Sequence, residues 1–221
     1  MPISLSRRLH LLPELRRHEQ AQADEYAEAA RRLGSPCLAG CHGCCHRLVL
    51  VDLADALGLA QHLLDGGAAT PELRRSLVED AGRAEGVSPD EYFAAGTGCV
   101  FLDRSSPSAA CAVYAARPHD CRIWFVHGVP DGSWCAPGAA ERELANVTLP
   151  ELEATDLRFR ARWRARQSPV LVARPMWVPL ALGVLAALDL LDQGPAAMAA
   201  WQARLDAATQ RSFALVDPPA E

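Results

Sequence analysis

Four cysteines fall within nine residues, in Cys37-Leu-Ala-Gly-Cys41-His-Gly-Cys44-Cys45, and His46 follows at once. Thiolates two to four positions apart on a tight loop can converge on one centre, and Gly40 and Gly43 permit the backbone turns this needs. Soft thiolates select zinc, copper(I) or iron–sulfur clusters over hard cations. The side chains of adjacent residues such as Cys44 and Cys45 tend to diverge, so a single tetrahedral ion does not easily take both. A looser second group, Cys99, Cys111, Cys121 and Cys135, completes the eight cysteines of the chain. Two centres, or one polynuclear cluster drawing on both groups, are the economical arrangements. Cys37, Cys41, Cys44, Cys45, Cys111 and Cys121 form the expected ligand set, with Cys99 and Cys135 as additions. Cys99 opens an apolar run and can equally be core, and Cys135 stands alone in a loop.

The residues around the thiols admit two uses each. His42 and His46 can be ligands, donors that tune the site, or exposed loop residues, and His119 and His127 near Cys121 share that ambiguity. Arg117 and Arg122 can neutralise a thiolate-rich site or hold an anionic group; the alternative is a structural salt bridge with Asp103 or Asp120. Tyr114 and Trp124 read as packing around the site. No Ser/His/Asp set and no paired carboxylates suggest a hydrolytic centre.

Composition narrows the setting. Of the 221 residues half are apolar and 22% charged, an ordinary globular balance with a net charge of −5. That charge offers no chain-wide basic footprint for nucleic acid. Arg158, Arg160, Arg162, Arg164 and Arg166 are concentrated in one stretch, but Leu149, Leu152, Phe159 and Trp163 align there at helical spacing, which makes the arginines a solvated helix face. The N-terminus shows no apolar run with a small-residue cleavage site, and the most apolar stretch, 176–191, contains Pro179 and Asp189 and is short for a membrane span. The expectation is a cytoplasmic protein that contacts neither nucleic acid nor membrane, with a protein partner left open. In a reducing compartment dense cysteines point to metal or redox chemistry before disulfides.

The elements that must position the thiols are mostly helical. Pro13 opens a helix to Leu33, with Gly34 as its stop. Asp52 caps a helix that carries Leu53, Leu57, Ala60 and Leu64 and ends at Gly66-Gly67. Thr70-Pro71 starts another with Leu73, Leu77 and Ala81 on one face. Ser88 and Glu91 form a capping box for a short helix that stops by Gly96. Cys99–Leu102 and Cys111–Tyr114 are β-prone runs joined by a Ser/Pro-rich turn, a small hairpin. Beyond Cys135 three helices are expected, near 150–167, 176–193 and 195–211, with breaks at Pro175, Pro179 and Gly194-Pro195. The fold expected is mainly α: an N-terminal helical arm (1–35), a small irregular cysteine-rich lobe containing a short β-hairpin (36–136), and a C-terminal helical region (137–221).

Taken together, the paired cysteines, Cys99-Val-Phe-Leu, Cys111-Ala-Val-Tyr114, Arg117-Pro-His-Asp-Cys121-Arg122 and the downstream Cys135 resemble the CxxCxxCC (YkgJ-type) cysteine-cluster family over about residues 37–135. All eight cysteines find counterparts, although the first gap here is three residues where the family's name has two. The resemblance implies chelation of zinc or iron, with an iron–sulfur centre as one form. A related cysteine region in flagellin lysine N-methylases extends the analogy to S-adenosylmethionine-linked methyl transfer, but the chain has no glycine-rich strand–turn–helix for the methyl donor. The spacing Cys37-x3-Cys41-x2-Cys44 also resembles radical S-adenosylmethionine enzymes. Their barrel needs repeated strand–helix units that this chain lacks. An interaction protein whose fold is held by zinc is the third reading.

Overall fold

A computed structural model describes residues 43–103, 105, 110–118, 120–121 and 177–216, together with Arg17, Ala21, Asp24 and Glu28. Among the described residues five helices dominate: α1 (Leu53–Asp65), α2 (Pro71–Ala84), α3 (Pro89–Ala94), α4 (Leu180–Gln193) and α5 (Pro195–Val216). Four two-residue strands make two antiparallel pairs. β1 (Leu50–Val51) pairs with β4 (Val178–Pro179), and β2 (Leu102–Asp103) with β3 (Ala110–Cys111). The protein is mainly α, as its helix signals predict.

The helix starts follow their capping chemistry. Asp52 Oδ1 accepts from the Asp55 N–H at 2.9 Å, and Thr70 Oγ1 from the Leu73 N–H at 3.2 Å, each satisfying an amide that the first turn leaves without a helical partner. At α3 the capping box is complete. The Glu91 N–H donates to Ser88 Oγ, and the Ser88 N–H donates to Glu91 Oε2 at 2.7 Å. The Ser88 amide, and then its hydroxyl, hold the exposed Glu91 carboxyl below the usual glutamate range. A depressed carboxyl stabilises the fold above its unfolded pKa and loses that contribution as pH falls through its folded value. Amide protection of residues 91–94 is therefore expected to weaken on acidification below the ordinary glutamate range, and Glu91→Gln to flatten that dependence in hydrogen exchange.

The chain divides into two compact units. One comprises residues 46–101, 115–118 and 175–221 and contains all five described helices. At its centre lies α4, on which α1, α2 and α5 pack. Leu180 to Leu188 and Leu190 are all buried, so α4 is apolar all round rather than amphipathic. The helix expected from residue 176 begins instead at Leu180, because Val178 and Pro179 are taken up in pairing with β1 and the Leu180 N–H donates to the Val49 carbonyl. The last helix runs five residues beyond the expected end at 211. On α1 the buried row is Ala56, Leu59, Ala60 and Leu63, with Leu57 beside it. Leu53 and Leu64, also carried by this helix, are only half-buried because the buried i, i+3, i+4, i+7 row runs through Ala56, Leu59, Ala60 and Leu63.

Close approach of α4 to its neighbours depends on Gly183. A Cβ there would lie 2.7 Å from Val51 Cγ2, 3.2 Å from Val178 Cγ2 and 3.3 Å from Ala56 Cβ. Gly183→Ala gains about 1 kcal/mol of helix propensity but overpacks a filled core at a cost of about 1–3 kcal/mol. The expected net loss is about 1 kcal/mol, read by chemical denaturation; a stabilised variant would show that Val51 yields at little cost.

Polar groups tie the rim of this helical unit. Arg74 of α2 donates to Asp189 at 2.9 Å and also pairs with Asp192, while Trp201 Nε1 of α5 donates to the other Asp189 oxygen at 2.9 Å. Arg204 forms a two-point pair with Glu85 at 2.6 and 3.0 Å and lies over the Trp201 ring. These contacts are partly exposed and specify how helices meet more than they add stability.

The second unit comprises residues 1–45, 102–114 and 119–174, and its described part includes the β2–β3 hairpin. The hairpin is shorter than the β-prone runs suggest. Cys99 and Val100 precede it, and Tyr114–Ala116 forms a 3-10 turn rather than strand. The expected helices at 13–33 and 150–167 fall largely or wholly outside the described residues. Within the first, Arg17, Ala21, Asp24 and Glu28 are helical and exposed, at the spacing of one helix face. No described helix is long and apolar enough to cross a membrane.

Candidate metal centre

Cys44 and Cys45 lie on a single 3-10 turn, Gly43–His46, that leads into β1; Cys45 and His46 are half-buried. Such a turn is short and tight, so it holds its residues close together on the backbone. Cys111 ends β3 opposite Leu102, half-buried, and Cys121 is helical and half-buried beside Asp120. Partial burial suits a ligand thiol, which needs shielding from bulk water together with access for the ion.

Cys99 is the best-defined of the set. It follows Gly96-Thr97-Gly98, where both glycines have positive φ, 63° and 68°. That left-handed backbone excludes most side chains and lets the chain reverse between α3 and β2 within a few residues. The Phe101 N–H donates to Cys99 Sγ at 3.5 Å. An amide donor two residues on favours the thiolate over the thiol and so prepares the sulfur for a cation. Phe101 itself is buried, and Thr97 Oγ1 is buried without a hydrogen-bond partner. Cys99 is thus half-exposed in a built turn and not the core residue of an apolar strand.

Behind this turn lies a pair of buried polar residues with no evident signal in the sequence. The Tyr92 hydroxyl donates to Asp80 Oδ1 at 2.7 Å, and Arg83 donates to the same carboxylate at 2.8 Å. Both Asp80 and Tyr92 are almost fully buried. Burial first, and then the Asp80 hydrogen bond and charge, push the Tyr92 phenol far above its ordinary range; negative charge at Cys99 acts in the same direction. Tyr92 therefore remains a hydrogen-bond donor at any ordinary pH.

The other expected site residues are placed less closely. Arg117 is half-buried next to the buried Pro118. Asp103, one of its suggested partners, accepts from the Ser105 amide and hydroxyl at 2.9 and 2.6 Å. Tyr114, expected to pack around the site, is 41% exposed on its 3-10 turn. Cys37, Cys41, Cys135, His42, His119, His127, Arg122, Trp124 and the arginines of 158–166 lie outside the described residues, as does the side chain of Cys44. Among the described residues no three His, Cys, Asp or Glu side chains stand together as a metal-ligand group.

Residues 36–136 match the model of the CxxCxxCC family, described as a putative zinc- or iron-chelating domain. The match spans somewhat less than half of the 221 residues and shows what this segment is similar to. The match reproduces the extent expected from the cysteine motifs and encloses all eight cysteines of the chain. No curated protein and no solved structure is significantly similar to the chain. The donor set of this segment fits a thiophilic ion: its described cysteines are partly buried, and Cys99 already accepts an amide hydrogen. The description of the matched family points to zinc or iron as the ion such a segment chelates.

Proposed function

We propose that this protein chelates zinc or iron through a thiolate centre built from Cys37, Cys41, Cys44, Cys45, Cys99, Cys111, Cys121 and Cys135. The observation that carries the reading is the confinement of all eight cysteines to the CxxCxxCC segment of a 221-residue chain. The amide donor on Cys99 Sγ supports it from the structural side. Eight thiols exceed the four positions of one tetrahedral zinc, which favours two ions or one polynuclear centre, an iron–sulfur cluster included. Four thiolates around a divalent ion leave an excess of two negative charges, and Arg117 and Arg122 are suited to balance them. A bound iron–sulfur centre would supply one-electron chemistry; zinc in a fully thiolate shell would supply a structural tie. The setting that fits these thiols is the reducing cytoplasm.

Cobalt(II) titration of the reduced full-length chain tests the reading, because sulfur-to-cobalt charge transfer gives near-ultraviolet absorption only when thiolates bind the ion. Intense bands that saturate at a fixed ratio and are displaced by zinc are expected. Weak bands lacking a charge-transfer component would place any bound ion on oxygen or nitrogen ligands instead.

A further inference from the structure

The reading of Cys99 as a ligand leaves unexplained why a buried carboxylate and a buried phenol are kept beside an otherwise apolar helical core. Apolar residues of similar volume could pack α2 against α3 without desolvating a carboxylate. The turn that presents Cys99 hangs between two buried aromatic side chains, Tyr92 before it and Phe101 after it. Between them lie two left-handed glycines, Gly96 and Gly98, so this backbone has little intrinsic preference for one path. Phe101 holds the far end and its own amide contacts the sulfur. The near end is held by α3, whose six residues cannot maintain an orientation unaided. Its polar tether to the body is the 2.7 Å bond from Tyr92 to Asp80, with Arg83 completing the carboxylate's partners.

We propose that Tyr92 is a positioning residue for the metal centre: its hydrogen bond to Asp80 anchors α3 on α2 and thereby fixes the turn that carries Cys99. The proposal rests on the reading of Cys99 as a ligand. It requires that the effect of Tyr92 on metal binding be exerted through Cys99.

A double-mutant cycle on the reduced full-length chain separates this role from a general effect on folding. Zinc affinity is measured by competition with a chromophoric chelator for the wild type, Tyr92→Phe, Cys99→Ser and the double variant, at a temperature where circular dichroism shows all four folded. Tyr92→Phe keeps the ring and removes only the donor; it is expected to weaken zinc binding about tenfold, the low end of what lost outer support costs a metal site. In the Cys99→Ser background the same change is expected to have no further effect. Asp80→Ala removes the bond from its other end and should behave alike. A Tyr92→Phe variant with wild-type affinity, or a loss that adds in full to that of Cys99→Ser, would show a merely structural bond and overturn the positioning role. Wild-type affinity in Cys99→Ser alone would instead remove Cys99 from the ligand set, and the proposal with it.

Discussion

Replacing Cys44 and Cys45 together by serine is expected to release most of the bound metal. The two thiols share one short 3-10 turn, so the substitution changes two donors while leaving the backbone of Gly43–His46 its own hydrogen-bonding pattern. Serine is close to cysteine in size, and its hydroxyl, with a far higher pKa than a thiol, is a poor anionic ligand for a soft ion at neutral pH. A centre of eight thiols that loses two from one turn must either drop an ion or open its shell. In a structural thiolate site binding free energy is also folding free energy. Metal per chain should therefore fall by half or more, with weaker protease resistance over 36–136. Unchanged stoichiometry in the double variant would remove this turn from the ligand set.

Leu182→Ala is expected to destabilise the helical unit by about 3 kcal/mol, in the middle of the range for a buried leucine truncated in a packed core. Leu182 is fully buried on α4, the helix on which α1, α2 and α5 converge. Three neighbouring helices and the β1–β4 pair restrain one another, so little relaxation can refill the space, and residual cavity volume sets the cost. For a chain of this size about 3 kcal/mol corresponds to a midpoint roughly 6–12 °C lower in thermal unfolding. A loss below about 1 kcal/mol would mean that α4 shifts to refill the gap, against the tight approach seen at Gly183.

Local signals are the most legible part of this fold. Asp52, Thr70 and the Ser88–Glu91 box each start the helix they predict, because a cap depends only on residues three positions apart. Long-range pairing has no such signature. Nothing near Val51 or Val178 announces that they meet across more than a hundred residues, so β1 and β4 carry no sequence signal and α4 starts four residues later than periodicity predicts. The buried face of α1 has the same origin: periodicity selects a stripe, but partners from distant α4 decide which row of that stripe is covered. Sequence likewise shows Asp80 and Tyr92 only as ordinary helix residues. Their hydrogen bond exists because α3 folds back on α2.

The candidate metal segment is legible in cysteine spacing, since eight thiols concentrated in one segment have few other uses. Its internal detail is not. The β-prone look of Cys99–Leu102 comes from Val100, Phe101 and Leu102, but Gly98 and the amide contact of Phe101 turn the chain there, leaving Cys99 on a turn instead of in a strand. A Cys followed two residues on by a buried aromatic, and preceded by Gly-x-Gly, is the signal that could have marked this position.

The central claim, cysteine chelation of zinc or iron, is tested most directly by metal content. The full chain is purified under reducing, oxygen-free conditions, and zinc, iron and acid-labile sulfide are measured per chain on the same sample as its visible spectrum. Stoichiometric zinc without colour, or iron with matching sulfide and a charge-transfer band that bleaches on reduction, is the predicted result, and the signal should fall in the Cys44→Ser, Cys45→Ser variant. A folded, fully reduced protein that carries neither metal and takes up neither on titration would contradict the account.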